Sequence, residues 1–192
     1  MQIRMNRVKK QVVINQPKHV KCIIETFQVT KGALTPALEK LMGDELDSPL
    51  LENQSDYMSK CAMLMLVSQR TYPEIRPAVI KLSTKYNKAT MEDMKKAIRV
   101  AEYIDGCKDT HKLILEPKSL NLVSAADASY AEHPDGKSHS GGAVGFKSDS
   151  SCYFGFVLSE QPVVEKSAGE AKLIAQNKVV IWWSGQEKCS IN

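Results

Sequence analysis

Near Gly106 the apolar residues stop recurring at the roughly 3.6-residue interval of an amphipathic helix and begin to alternate at about every second residue. At the same place the composition turns to Val, Ser and Gly, with turn signals about every ten residues. A single layer of one element type cannot satisfy both periods. The chain is therefore expected to be α/β in content and α+β overall, a helical part followed by a sheet-forming part. Its 192 residues suffice for one ample domain or two small ones.

Before Gly106, the stretches QIRMNRV and QVVINQ alternate around Lys9 and Lys10 and predict a short two-stranded ribbon. Pro17 ends the second strand. Val20, Ile23, Ile24 and Phe27 then fall at helical spacing, and that helix is expected to stop near Lys31 and Gly32. The stretch ALTPALEKLMGDELDSPLLENQS reads as a connector. Ser55 or Asp56 is the expected cap of a helix with Tyr57, Cys61, Leu64, Met65 and Ser68 on one face. Pro73 suits a first helical position, and Ile75, Val79, Ile80 and Leu82 continue a third helix. Thr90 and Asp93 form a capping-box pattern for a fourth, with Gly106 as its C-terminal cap.

After Gly106, strands are expected at KLILE, LNLVSAADAS, GGAVGFK and CYFGFVL, with turns at HPDGKSHS and KSDSS. A helix over SAGEAKLIAQNK and one more buried strand at VVIWW complete this part.

Five cysteines, Cys22, Cys61, Cys107, Cys152 and Cys189, are odd in number, far apart and never in a CxxC pair. That spacing suggests reduced thiols, mostly buried, rather than a disulfide framework or zinc knuckle. The net charge of +4 is mild, but its distribution is not. Arg4, Arg7, Lys9, Lys10, Lys18, Lys21 and Lys31 crowd the first segment against the single acid Glu25. Such a field suits a polyanion, and equally a solvated basic surface. No stretch reaches the about eighteen apolar residues of a membrane helix, and MQIRMNRVKKQ has no apolar segment behind it, so neither membrane nor signal peptide is expected.

Asp127 follows the run LNLVSAA, expected to be a central strand, and Glu170 opens the helix after the strands. Two carboxylates carried to one place on a rigid sheet could share Mg2+ through hard oxygen ligands. The same residues have plainer readings. Ser167 and Glu170 fit a capping box, and Asp127 fits a strand-to-turn residue that accepts local amides. His111 stands four after Cys107, and His133 six before His139; with no second pair at zinc spacing, these read as solvated turn histidines. Trp182 and Trp183 read as one core and one surface residue of a strand, GGAVG as strand rather than phosphate loop, and Ser138, His139 and Ser140 as neighbours rather than a triad.

The segment SAADASYAEHPDGKSHSGGAVGF, followed by VVEKSAGEAKLIA, resembles the ribonuclease H region of copia-type retrotransposon polyproteins. The shared pattern is a strand ending in an Asp-Ala pair, an acidic turn containing proline, Lys-Ser and Ser-Gly pairs opening the next strand, and a Ser-x-x-Glu-Ala helix start. Here these fall on Asp127 and Ala128, His133 to Asp135, Lys137 to Gly141, and Ser167 to Ala171. The helical stretch from SDYMSK to YIDGCKD is similar to the connection segment of the same polyproteins, with TYPEI placing Tyr72 and Glu74 where arginine and aspartate are usual. VVINQPKHVKCIIETFQV resembles the strand and thumb helix after the polymerase palm.

The resemblance implies three regions. Residues 1–54 would be the end of a reverse transcriptase palm and thumb, 55–110 a helical connection, and 111–192 a ribonuclease H-like mixed sheet with one or more helices, incomplete at its C-terminus. It implies an RNA:DNA hybrid as partner, with phosphates met by Arg4, Arg7, Lys9, Lys10, Lys18 and Lys21. It also implies Mg2+ in a two-metal site held by Asp127 and Glu170, for cleavage of the RNA strand. The expected setting is intracellular, in a cytoplasmic particle or the nucleus, beside an upstream palm. The paired aspartates of that palm are absent from this sequence, so polymerisation by this chain alone is not expected. Where the family carries a third acid in an Asp-Asn pair, QEKCSIN offers Glu187 as the nearest match. The alternative is a catalytically inactive nucleic-acid or protein interaction module, a translated remnant of such an element.

Overall fold

The structure is a computed structural model, and it describes residues 1–37, 48–129, 138–149, 152–161 and 167–184. The chain is α+β. Its elements are β1 (Gln2–Asn6), β2 (Gln11–Asn15), α1 (Pro17–Thr26), α2 (Gln54–Ser68), a 3-10 turn (Pro73–Ile75), α3 (Arg76–Ser83) and α4 (Met91–Cys107). There follow β3 (Leu113–Leu115), β4 (Leu122–Ser129), β5 (His139–Phe146), β6 (Tyr153–Glu160) and α5 (Ala168–Ser184). The strands form two three-stranded sheets, in the orders β1-β2-β3 and β4-β5-β6. The chain divides into two compact units, Met1–Met5 with Val13–Leu113, and Asn6–Val12 with Ile114–Asn192.

In the first unit, α1 to α4 bury one continuous apolar cluster. Val20, Ile23 and Phe27 enter it from α1, Tyr57, Cys61, Leu64 and Val67 from α2, Val79 and Leu82 from α3, and Ala97, Val100, Ala101 and Ile104 from α4. Each large aliphatic side chain removed from water contributes about 1.5–3 kcal/mol before entropy is counted. The Tyr57 hydroxyl donates to the Leu82 carbonyl at 2.9 Å, so the polar end of this buried ring is satisfied. Asn53, not Ser55 or Asp56, caps α2: its side chain accepts from the Asp56 amide at 3.0 Å. The capping box of Thr90 and Asp93 starts α4 as its sequence pattern predicts.

Two glycines expected at helix ends do something else. Helix α1 ends at Thr26, before Lys31 and Gly32. Gln28, at φ 53°, takes the left-handed position after it; its amide donates to Glu25 and the Val29 amide to Ile24, at 3.2 and 3.0 Å. This is a Schellman closure made with glutamine. Gly32 instead lies against α4, where a Cβ would sit 2.7 Å from the Gly106 Cα. Gly106 is not the cap of α4 but lies within its last turn, where a Cβ would sit 2.7 Å from the Ala33 carbonyl oxygen. The Ala33 amide donates to Glu102 at 2.9 Å and fixes the crossing.

In the second unit, β4, β5 and β6 form an antiparallel meander. The register sets Ala126 opposite Gly142 and Gly142 opposite Val157. The mixed sheet expected from the sequence is thus antiparallel throughout its described strands, and β5 rather than β4 is central. Helix α5 covers one face of β4 and β5. It buries Ala171, Ala175 and Val179, spaced four apart along one stripe. A Cβ on Gly142 would overlap the Val179 Cγ2, so glycine there lets helix and sheet close.

The strand expected at VVIWW is the C-terminal part of α5. The buried stripe continues through Val179, and no proline or glycine interrupts the helix after Gly169, so a short apolar run that alone suits either element type is carried as helix.

Candidate functional site

Asp127 lies within β4, two residues before its end at Ser129. Side chains alternate along a strand, so Asp127 leaves the sheet opposite to Ala126, in the row of Gly141 and Leu158. Its side chain is 79% exposed, and its Oδ1 lies 3.4 Å from the Lys172 Nζ of α5. The Ala128 backbone amide, and then the Lys172 ammonium, hold the Asp127 carboxyl below the usual carboxylate range.

The first turn of α5 is fixed from two sides. Ser167 Oγ accepts from the Glu170 amide at 3.2 Å, and the Ser167 carbonyl accepts from the Ala171 amide at 3.1 Å. The Ser167 half of the anticipated capping box is therefore made. From below, the buried Gln161 Nε2 donates to Ser140 Oγ at 2.7 Å and to the Ala171 carbonyl at 2.9 Å. The Gln161 amide donates to Ser138 at 2.8 Å, and Lys178 Nζ donates to Ser159 Oγ at 2.9 Å. Gln161 thereby ties the end of β6 to β5 and to the helix start.

This framework decides which α5 side chain meets Asp127. Residues two apart on a helix point about 200° away from each other. Lys172 contacts Asp127, so Glu170, which is exposed, leaves the helix on nearly the opposite side. Asp127 and Glu170 sit on neighbouring elements, but the partner that reaches Asp127 is a lysine. Glu187 lies outside the described residues. Among the described residues no three of His, Cys, Asp and Glu gather in a way that could hold a metal ion. An ammonium on the Asp127 carboxylate does not fit a Mg2+ ion on the same oxygen.

Lys172 and Gln161 carry no sequence signal for these roles. Both act across a strand-to-helix packing that single-sequence periodicity does not encode.

The basic residues stand in two places. Arg4 is on β1, and Arg7, Lys9 and Lys10 form the turn between β1 and β2; all four are exposed. The turn is held by the Lys9 amide on Asn6 Oδ1 at 3.0 Å, and Lys10 takes φ 50°. Lys18 and Lys21 are exposed on α1, where Lys21 lies 3.7 Å from Glu25.

Other candidates resolve into structure. His111 is not a solvated turn residue: its ring stacks on Tyr72 with centroids 4.1 Å apart, and its Nε2 lies 2.6 Å from the Thr71 carbonyl and 3.6 Å from Glu74. Cys107 Sγ donates to the Tyr103 carbonyl at 3.1 Å. Burial pushes the Cys61 thiol up to about 11, which makes it unreactive. Cys22, Cys61, Cys107 and Cys152 are all free thiols, and of these four only Cys22 is exposed. Trp182 and Trp183 fall in the last turn of α5. His133 lies outside the described residues. No described helix is long and apolar enough to cross a membrane.

Searches among protein families, curated proteins and solved structures found no match to this chain.

Proposed function

We propose that this chain is a fragment of a copia-type retrotransposon polyprotein, spanning the end of its reverse transcriptase and part of its ribonuclease H, and that it binds an RNA:DNA hybrid. The observation that supports this most directly is the order of the second unit: three antiparallel strands, then a helix whose Lys172 side chain reaches Asp127 on the first of them. That is the arrangement expected of the first half of a ribonuclease H-like domain. The motif residues fall on it in the resembling order, with Asp127 on β4, Ser138 to Gly141 opening β5, and Ser167 to Ala171 starting α5.

Binding rests on the exposed arginine and lysines of the β1 to β2 turn, which suit phosphates, while the 2′-hydroxyl distinguishes the RNA strand. Cleavage of that strand is expected to be slight or nil. The reading as a non-catalytic binding module is favoured by one observation, the Lys172 ammonium on the Asp127 carboxylate. The test is a labelled hybrid with Mg2+ and purified chain, scored for both binding and RNA cleavage. Binding with little turnover is expected. Robust cleavage abolished by Asp127→Asn would overturn the non-catalytic part, and absence of binding would overturn the whole.

A further inference from the structure

We propose that Lys172 is a tethered counter-cation that has taken the place of a divalent metal at Asp127. The proposal rests on reading Asp127 as the position where this lineage carries a metal ligand. The Lys172 Nζ lies 3.4 Å from Asp127 Oδ1, with side chains 59% and 79% exposed. An exposed pair of this kind adds little to folding stability. Its consequence is occupancy: the carboxylate already has a covalently tethered cation, with whose local concentration a dissolved ion must compete.

The attachment is also well placed. The carbonyl of Ala171, the residue before Lys172, accepts from the buried Gln161, and Ala171 itself is buried against the sheet. Lys172 thus stems from a fixed turn rather than a loose surface. A divalent ion binding Asp127 would first have to displace the ammonium. Lysine supplies a single charge and three hydrogen-bond donors, where a divalent ion supplies two charges and takes several oxygen ligands.

The test needs no nucleic acid, so its failure is separate from any failure to bind a hybrid. Mn2+ is titrated into the isotope-labelled full chain, and paramagnetic broadening of the amides around Asp127 is followed by NMR. The wild-type chain should show no broadening centred on Asp127, and Lys172→Arg should behave the same. Lys172→Ala should acquire a site roughly tenfold tighter, abolished by Asp127→Asn. The spectra themselves report that each variant is folded. Wild-type broadening at Asp127 equal to that of Lys172→Ala would overturn the proposal. So would an absence of broadening in Lys172→Ala, since lysine would then not be what keeps the metal away.

Discussion

Gly32 and Gly106 pass so close that a Cβ on Gly32 would lie 2.7 Å from the Gly106 Cα, and a Cβ on Gly106 would lie 2.7 Å from the Ala33 carbonyl oxygen. Both obstacles are backbone and cannot swing aside. Helix propensity alone favours alanine over glycine at Gly106 by about 1 kcal/mol. The crossing reverses that sign: Gly106→Ala should destabilise the helical unit by about 1–3 kcal/mol. Denaturant unfolding followed by circular dichroism checks it, and a more stable Gly106→Ala chain would show that the crossing is not maintained in solution.

The opposite outcome is expected at Gln28. This residue holds φ 53° at the end of α1 and is exposed, a conformation that costs an L-residue about 1–2 kcal/mol. Glycine relieves that cost but loses more freedom on folding. Gln28→Gly should therefore stabilise the chain by a net of about 0.5–1 kcal/mol. A shift of the unfolding midpoint to higher denaturant, with unchanged slope, is the expected readout.

These two positions show what the sequence discloses and what it does not. The Thr90 and Asp93 box is legible because both partners lie within one turn. A glycine at a helix end and a glycine under a crossing chain look alike in sequence, so Gly106 reads as a cap until the crossing is seen. VVIWW reads as a strand because five apolar residues fit either period, and only the stripe of Ala171, Ala175 and Val179 makes it helical. At the candidate site, motif order points to Asp127 and Glu170. Lys172 and Gln161 escape such a reading because their roles depend on where α5 lands on the sheet, which joins residues far apart in the chain.

That landing can be tested at Gly142. A Cβ there would overlap Val179 Cγ2 and lie 3.1 Å from Val157 Cγ1. Gly142→Ala should destabilise the second unit by about 1–3 kcal/mol, and adding Val179→Ala should recover part of that loss. Strict additivity of the two changes in a double-mutant cycle would mean that α5 does not pack on β5 at this point.

The Asp127 carboxyl carries a pH signature. Its pKa is lowered, first by the Ala128 amide and then by Lys172. A depressed carboxylate pKa means the pair is present above the unfolded value and lost as pH falls through the lower, folded one. Titration of the Asp127 side chain by NMR should give a midpoint below that of an unstructured aspartate. Lys172→Ala should raise the midpoint without abolishing the depression, because the Ala128 amide remains. An unchanged midpoint in Lys172→Ala would remove Lys172 from the site.

Binding of an RNA:DNA hybrid through exposed basic residues is tested most directly by the affinity for a labelled hybrid as a function of salt, measured beside a DNA duplex of the same sequence. Tighter binding to the hybrid is expected, with an affinity that falls steeply and log-linearly as salt rises. Substituting Lys9 and Lys10 with Ala should lower the magnitude of that slope by about 1 for each phosphate no longer neutralised. Equal affinity for both duplexes, or a slope that the lysine substitutions leave unchanged, would contradict hybrid recognition by this basic turn.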